Sequence, residues 1–112
     1  MKSAAALGLV PALMIAPLAA TPTLRGTVGP DFTITLTKGG SAVHTLRPGR
    51  YRIKVTDKSD VHNFHLKGPG VNKKTGVAST GTTRWTLKLG AGQYGYFSDS
   101  QKTLRGSFRV AR

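Results

Sequence analysis

The groups able to carry chemistry in this chain are few: three histidines (His44, His62, His65), four aspartates (Asp31, Asp57, Asp60, Asp99) and several serines, with no cysteine and no glutamate. The missing thiolate excludes a disulfide framework, a lipid-modified N-terminal cysteine, thiolate catalysis, iron–sulfur clusters and cysteine-based zinc sites. His62 and His65 stand three positions apart, which on a strand sends their side chains to opposite faces, so chelation of one ion by the pair is disfavoured. His62 with Asp99 makes a thin metal site, because stable sites take three or four protein ligands. For nucleophilic catalysis the available parts are Ser98, His62 and Asp99. Nothing beside them signals an oxyanion hole or a substrate pocket, and the expectation is a protein that is not an enzyme.

The segments that must position these groups alternate with period two, the signature of half-buried strands. Phe32, Ile34 and Leu36 alternate with Thr33 and Thr35, and Tyr51, Ile53 and Val55 with Arg52 and Lys54. Thr83, Trp85, Leu87 and Leu89 alternate with Arg84, Thr86 and Lys88; Phe64 and Leu66 flank His65, and Phe108 and Val110 flank Arg109. Gly39-Gly40, Pro48-Gly49, Gly68-Pro69-Gly70 and Gly90-Ala91-Gly92 separate the runs as turns. None leads into a helix able to hold phosphate. The pattern predicts an all-β antiparallel sandwich in which Tyr94, Tyr96 and Phe97 pack near Trp85 and do not form a base-stacking platform.

Residues 1–20 read as a secretory signal peptide: Met1-Lys2, an apolar run, and the small residues Ala19 and Ala20 before a polar change at Thr21. Pro11 and Pro17 weaken the competing reading of a membrane span. Residues 21–112 form the one remaining domain, with no transmembrane segment, and the destination is secreted or periplasmic. The formal charge of the whole chain is +13, which draws it to anionic polymers or lipid head groups. The basic residues fall at alternate strand positions and form no run, and a solvated strand face is favoured over a dedicated polyanion site.

The stretch from Leu24 to Val110 resembles the plastocyanin- and azurin-like cupredoxins, in particular small secreted bacterial ones. The pieces that carry the resemblance are Leu46-Arg47-Pro48-Gly49-Arg50-Tyr51, then Ser59-Asp60-Val61-His62-Asn63-Phe64-His65-Leu66 followed by Gly68-Pro69-Gly70-Val71, Gly81-Thr82 before Trp85-Thr86, and Gly92-Gln93-Tyr94-Gly95-Tyr96-Phe97 leading to Gly106-Ser107-Phe108. The resemblance implies a Greek-key β-sandwich, and in that family a blue-copper centre held by a histidine beside an asparagine, a cysteine, a second histidine and a methionine. By this resemblance His62 is the only retained metal ligand, while Ser98, Gln101 and Leu104 occupy the cysteine, histidine and methionine positions. A hydroxyl is a hard ligand, an amide a weak one, and leucine cannot ligate copper. No cofactor is therefore expected, although copper belongs to the family. The expectation is that Ser98 and Gln101 hydrogen-bond to His62 or Asn63 and that Leu104 fills an apolar gap. Asn63 is implied to be a structural staple between the His62 and Ser98 segments; read from the residue alone, an Asx-type turn is equally apt.

These features favour an exported, non-enzymatic, monomeric domain with a vacated type 1 copper site, serving as a binding or structural module for a protein or an anionic surface and showing no specific nucleic-acid recognition. The rival readings are a copper-binding electron-transfer protein and a basic secreted protein that binds anionic polymers or lipids.

Overall fold

The computed structural model describes residues 21–112; the segment read as a signal peptide lies outside the described residues. Ten strands follow in order: β1 Thr23–Val28, β2 Ile34–Lys38, β3 Ser41–Ala42, β4 Thr45–Leu46, β5 Gly49–Asp57, β6 His65–Gly68, β7 Val71–Lys74, β8 Gly81–Leu89, β9 Gly92–Phe97 and β10 Arg105–Val110. They form two sheets of five, ordered β3-β2-β1-β5-β8 and β4-β10-β9-β6-β7. Most ladders are antiparallel. β1 with β5 and β10 with β4 run parallel, so both sheets are mixed. Among the described residues no helix is long and apolar enough to cross a membrane.

Period two decides which side chains meet between the sheets. Leu24, Val28, Leu36, Ile53, Val55 and Leu89 point inward from the first sheet, and Leu66, Tyr94, Tyr96, Phe108 and Val110 from the second. The rings are the bulk of the filling: Phe64 stacks on Tyr96 at 5.4 Å between centroids, and Tyr94 on Phe108 at 5.1 Å. Trp85 packs from the edge strand β8 against Phe64. Two buried tyrosines tie their hydroxyls to the carbonyl four residues upstream, Tyr51 to Arg47 and Tyr94 to Gly90, which satisfies each phenol and pins a strand entrance.

Phe32 departs from the expected alternation. Gly29, at φ 72°, donates to the Thr33 carbonyl and Thr33 donates to the Asp31 carbonyl, so the chain turns before β2 begins at Ile34. The turn breaks the period and leaves Phe32 55% exposed.

Candidate functional site

Three loops meet at one end of the sandwich, and each is held by short-range side-chain bonds. After β5, the carboxylate of Asp57 accepts from Ser59 N at 2.9 Å, and the Ser59 hydroxyl accepts from Val61 N and His62 N at 3.2 Å each. These turns fold the segment locally, as Asp and Ser side chains do when they replace backbone partners. After β7, the Thr75 hydroxyl accepts from Phe64 N at 3.0 Å. After β9, Ser98 N donates to Leu104 O and Leu104 N to Gln101 O, closing residues 98–104 on themselves.

Asn63 joins the three loops. Its Nδ2 donates to Thr75 O and to Asp99 Oδ2, both at 2.8 Å, and its Oδ1 accepts from Asp99 N at 2.7 Å. The side chain is 1% exposed. Asp99 also accepts from His65 Nδ1 at 2.8 Å. Burial pushes the Asp99 carboxyl up, but the hydrogen bonds from His65 and Asn63, with the positive field of His65 and Lys74, outweigh it and hold the group below its ordinary value. Asp57 goes the other way. Burial raises it, and the Ser59 and Thr75 hydrogen bonds and the neighbouring His62 only partly offset that.

His62 sits beside Ser98, whose hydroxyl is wholly buried. Ser98 Oγ lies 3.0 Å from His62 Nδ1 and accepts from Asn63 N at 3.4 Å. Ser100 completes the cluster, with its Oγ 3.2 Å from His62 Nδ1 and 3.1 Å from Ser98 Oγ, and it donates to the Val61 carbonyl at 2.5 Å. With Ser100 committed as a donor to Val61, the Ser98 proton can serve either His62 Nδ1 or Ser100 Oγ. Both imidazole tautomers are thus satisfied without leaving a buried polar atom unpaired. Phe32 covers the imidazole edge-on at 5.6 Å.

The other residues singled out in the sequence divide. Leu104 is buried, whereas Gln101 is exposed and does not join the cluster. The reason is that residues 101–104 form a turn through backbone bonds, which leaves the Gln101 amide facing water; Ser100 takes the polar position instead. His65, which its alternation with Phe64 and Leu66 would turn to solvent, is not an exposed polar residue. It is half-buried, stacked on Phe97 at 4.7 Å, with Nε2 2.6 Å from Asn72 Oδ1. His44 is exposed. Sequence reasoning missed Ser100 and Thr75. The pair of serines flanking Asp99 was the one signal for Ser100, and Thr75 had none.

This arrangement does not build a hydrolytic relay. Asp99 is engaged by His65 and Asn63, not by His62, and Ser98 is sealed from solvent. Nor do the residues fit a blue-copper ion. The donors beside His62 are two hydroxyls, with none of the sulfur that such copper sites require. Among the described residues no three His, Cys, Asp or Glu side chains gather into a possible metal site. A concavity of about 670 Å³, lined by Val43 to Tyr51 among others, lies at the opposite end of β5.

No protein-family model matches the sequence, and no curated protein does. Solved structures do. Reduced rusticyanin superposes with a TM-score of 0.60 at 17% identity, covering 80% of this chain and 78% of the other. Rusticyanin from Thiobacillus ferrooxidans gives 0.56 at 20% identity, over 80% and 76%. A multi-copper oxidase from Pediococcus acidilactici gives 0.54 at 14% identity, over 81% of this chain and 26% of that one. Two facing five-stranded sheets, with His62, Asn63 and the Ser98 loop together at one end, and these superpositions lead to one structural conclusion: the chain has the cupredoxin fold.

Proposed function

We propose that this chain is an exported binding module that uses the cupredoxin fold without copper redox chemistry and without enzymatic activity. The observation that carries the reading is the hydrogen-bonded closure of the metal end. Ser98 stands where the copper proteins of this fold are expected to offer sulfur, and it spends its hydroxyl on His62 and the Asn63 amide at 3.0 and 3.4 Å. A site whose polar atoms are already paired gains little from a cation that must first break those bonds. Export is supported by the charged, apolar and small-residue order of residues 1–20.

The test is a copper titration of the purified protein, followed by visible absorption and by melting temperature, with a rusticyanin-type protein as positive control. A site filled at a hundred times its dissociation constant would add about 2.7 kcal/mol, a rise of roughly 10–20 °C in a domain of this size. The expected result is no thiolate-to-copper band and no rise. A rise that His62→Ala abolishes would overturn the reading in favour of a residual metal site.

A further inference from the structure

The strand register gathers cations that the sequence scatters. Across β1, β5 and β8, Arg25 stands opposite Lys54 and Lys54 opposite Arg84, so three positive side chains share one line. The next line on the same face is Thr23, Arg52 and Thr86, followed by the pair Arg50 and Lys88; on the other side lie Thr27, Thr56 and Thr82. Every side chain on these lines is a cation or a hydroxyl. No acid interrupts them: Asp57 is buried at the end of β5, and Asp31, Asp60 and Asp99 lie in loops at the His62 end. Like charges directly opposite one another on a sheet repel and destabilise it. Three such pairs, Arg25–Lys54, Lys54–Arg84 and Arg50–Lys88, therefore leave a repulsion that a bound polyanion would relieve.

We infer that this outer sheet face docks a linear, base-free phosphodiester polymer through its backbone charges. The inference rests on the binding-module reading and names what the module binds. Four observations select the occupant. Along β5, Arg50, Arg52 and Lys54 recur every second residue, about 6.8 Å apart; the phosphodiester of a three-carbon polyol linked through its two ends repeats over the same number of backbone bonds as two extended residues, so its charges match that step. Threonine hydroxyls between the cations donate to phosphate oxygens as they do in other phosphate contacts. The groove of about 350 Å³ bordered by Arg25, Arg52, Lys54 and Arg84 presents no exposed apolar side chain for a lipid interface. Trp85 borders the groove from the edge strand, but it is half-buried with its ring packed against Phe64 and offers no fully exposed platform on which to stack a base.

The probe is a fluorescent abasic phosphodiester oligomer, titrated by anisotropy into the full protein at several salt concentrations. Six cations predict a salt slope of about −4, at roughly −0.7 per phosphate neutralised. The triple variant Arg25→Gln, Lys54→Gln, Arg84→Gln lowers affinity by at least about tenfold at low salt and makes the slope shallower by about 2. It also raises the melting temperature by roughly a few degrees as the repulsion goes. A variant matched in charge on the other sheet, Lys67→Gln, Arg105→Gln, Arg109→Gln, stays within about threefold of the parent. Equal losses in both variants would reduce the effect to net charge and overturn the proposal. Tighter binding of an oligothymidylate of the same length would overturn it in favour of nucleic acid, and preference for anionic vesicles in favour of a membrane. None of these outcomes depends on the copper titration, so the two readings fail separately.

Discussion

Replacing Asn63 by alanine removes the side chain that holds the three site loops together, and its cost can be built from the bonds it makes. The bond from Nδ2 to Thr75 O and the one from Asp99 N to Oδ1 are neutral-amide bonds worth about 1 kcal/mol each. The bond to the Asp99 carboxylate is charge-assisted, about 1.5–3 kcal/mol. Water can reach Thr75 and Asp99, which are only half-buried, and recover part of this. The net loss is therefore about 3 kcal/mol, a fall in melting temperature of roughly 12–24 °C for a domain of this size. Differential scanning calorimetry in metal-free buffer measures it. The pH dependence gives a second readout. Asp99 is held below its ordinary 3.8 partly by Asn63, so its stabilisation is complete above that value and is lost as the pH falls through the lower folded-state value. Without Asn63 there is less to lose, and the gap between parent and variant narrows on acidification. A fall of less than about 4 °C, or a gap that stays constant down to acid denaturation, would refute the account of Asn63 as the tie between the loops.

Two further substitutions test the surroundings of the site. Asp57 has a folded-state value raised by burial, so its contribution has the opposite sign: it favours the fold most below the ordinary 3.8 and progressively less as the pH rises through the raised value. Asp57→Asn, compared with the parent by denaturant melts across the acid range, should therefore become relatively more favourable as pH rises; a relative loss with rising pH would contradict burial as the dominant cause. Gly68→Ala would drive a methyl group into the ring of Tyr94, which is itself stacked on Phe108 and has nowhere to retreat. The expected cost is about 2 kcal/mol, read as a lower urea midpoint with an unchanged slope; an unaltered midpoint would mean the ring is free to shift.

The alternating runs were legible as strands because one face of each is buried and period two is hard to mistake, as in Tyr51, Ile53 and Val55, which all lie in the core, whereas β1 and β7 were not read as strands. Partner direction was not. The parallel pairing of β1 with β5 leaves no trace in either segment, since alternation reports which face is buried and not which way the neighbour runs. β3 and β4 span two residues each, too short for any period to register. At the site, 36 residues separate His62 from Ser98, and no spacing rule spans that distance; only the resemblance brought them together. Gln101 was misplaced because a family position specifies a side chain's address and not the turn that aims it. The backbone bond from Leu104 N to Gln101 O decides that aim.

The site loops are ordered by groups that owe nothing to a metal. Asp57 and Ser59 fold the segment before His62, Thr75 holds Phe64, and Asn63 ties both to Asp99. In such a frame the hydroxyl of Ser98 pairs with His62 and the Asn63 amide by hydrogen bonds that need no metal. The aspartates gather at that end, whereas a ladder of cations spans the outer face of the first sheet. On the proposed reading, an anionic chain approaching from solution is drawn to this cation ladder. On that same reading the hydrogen-bonded end around His62 is a structural cap, and recognition lies on the sheet face.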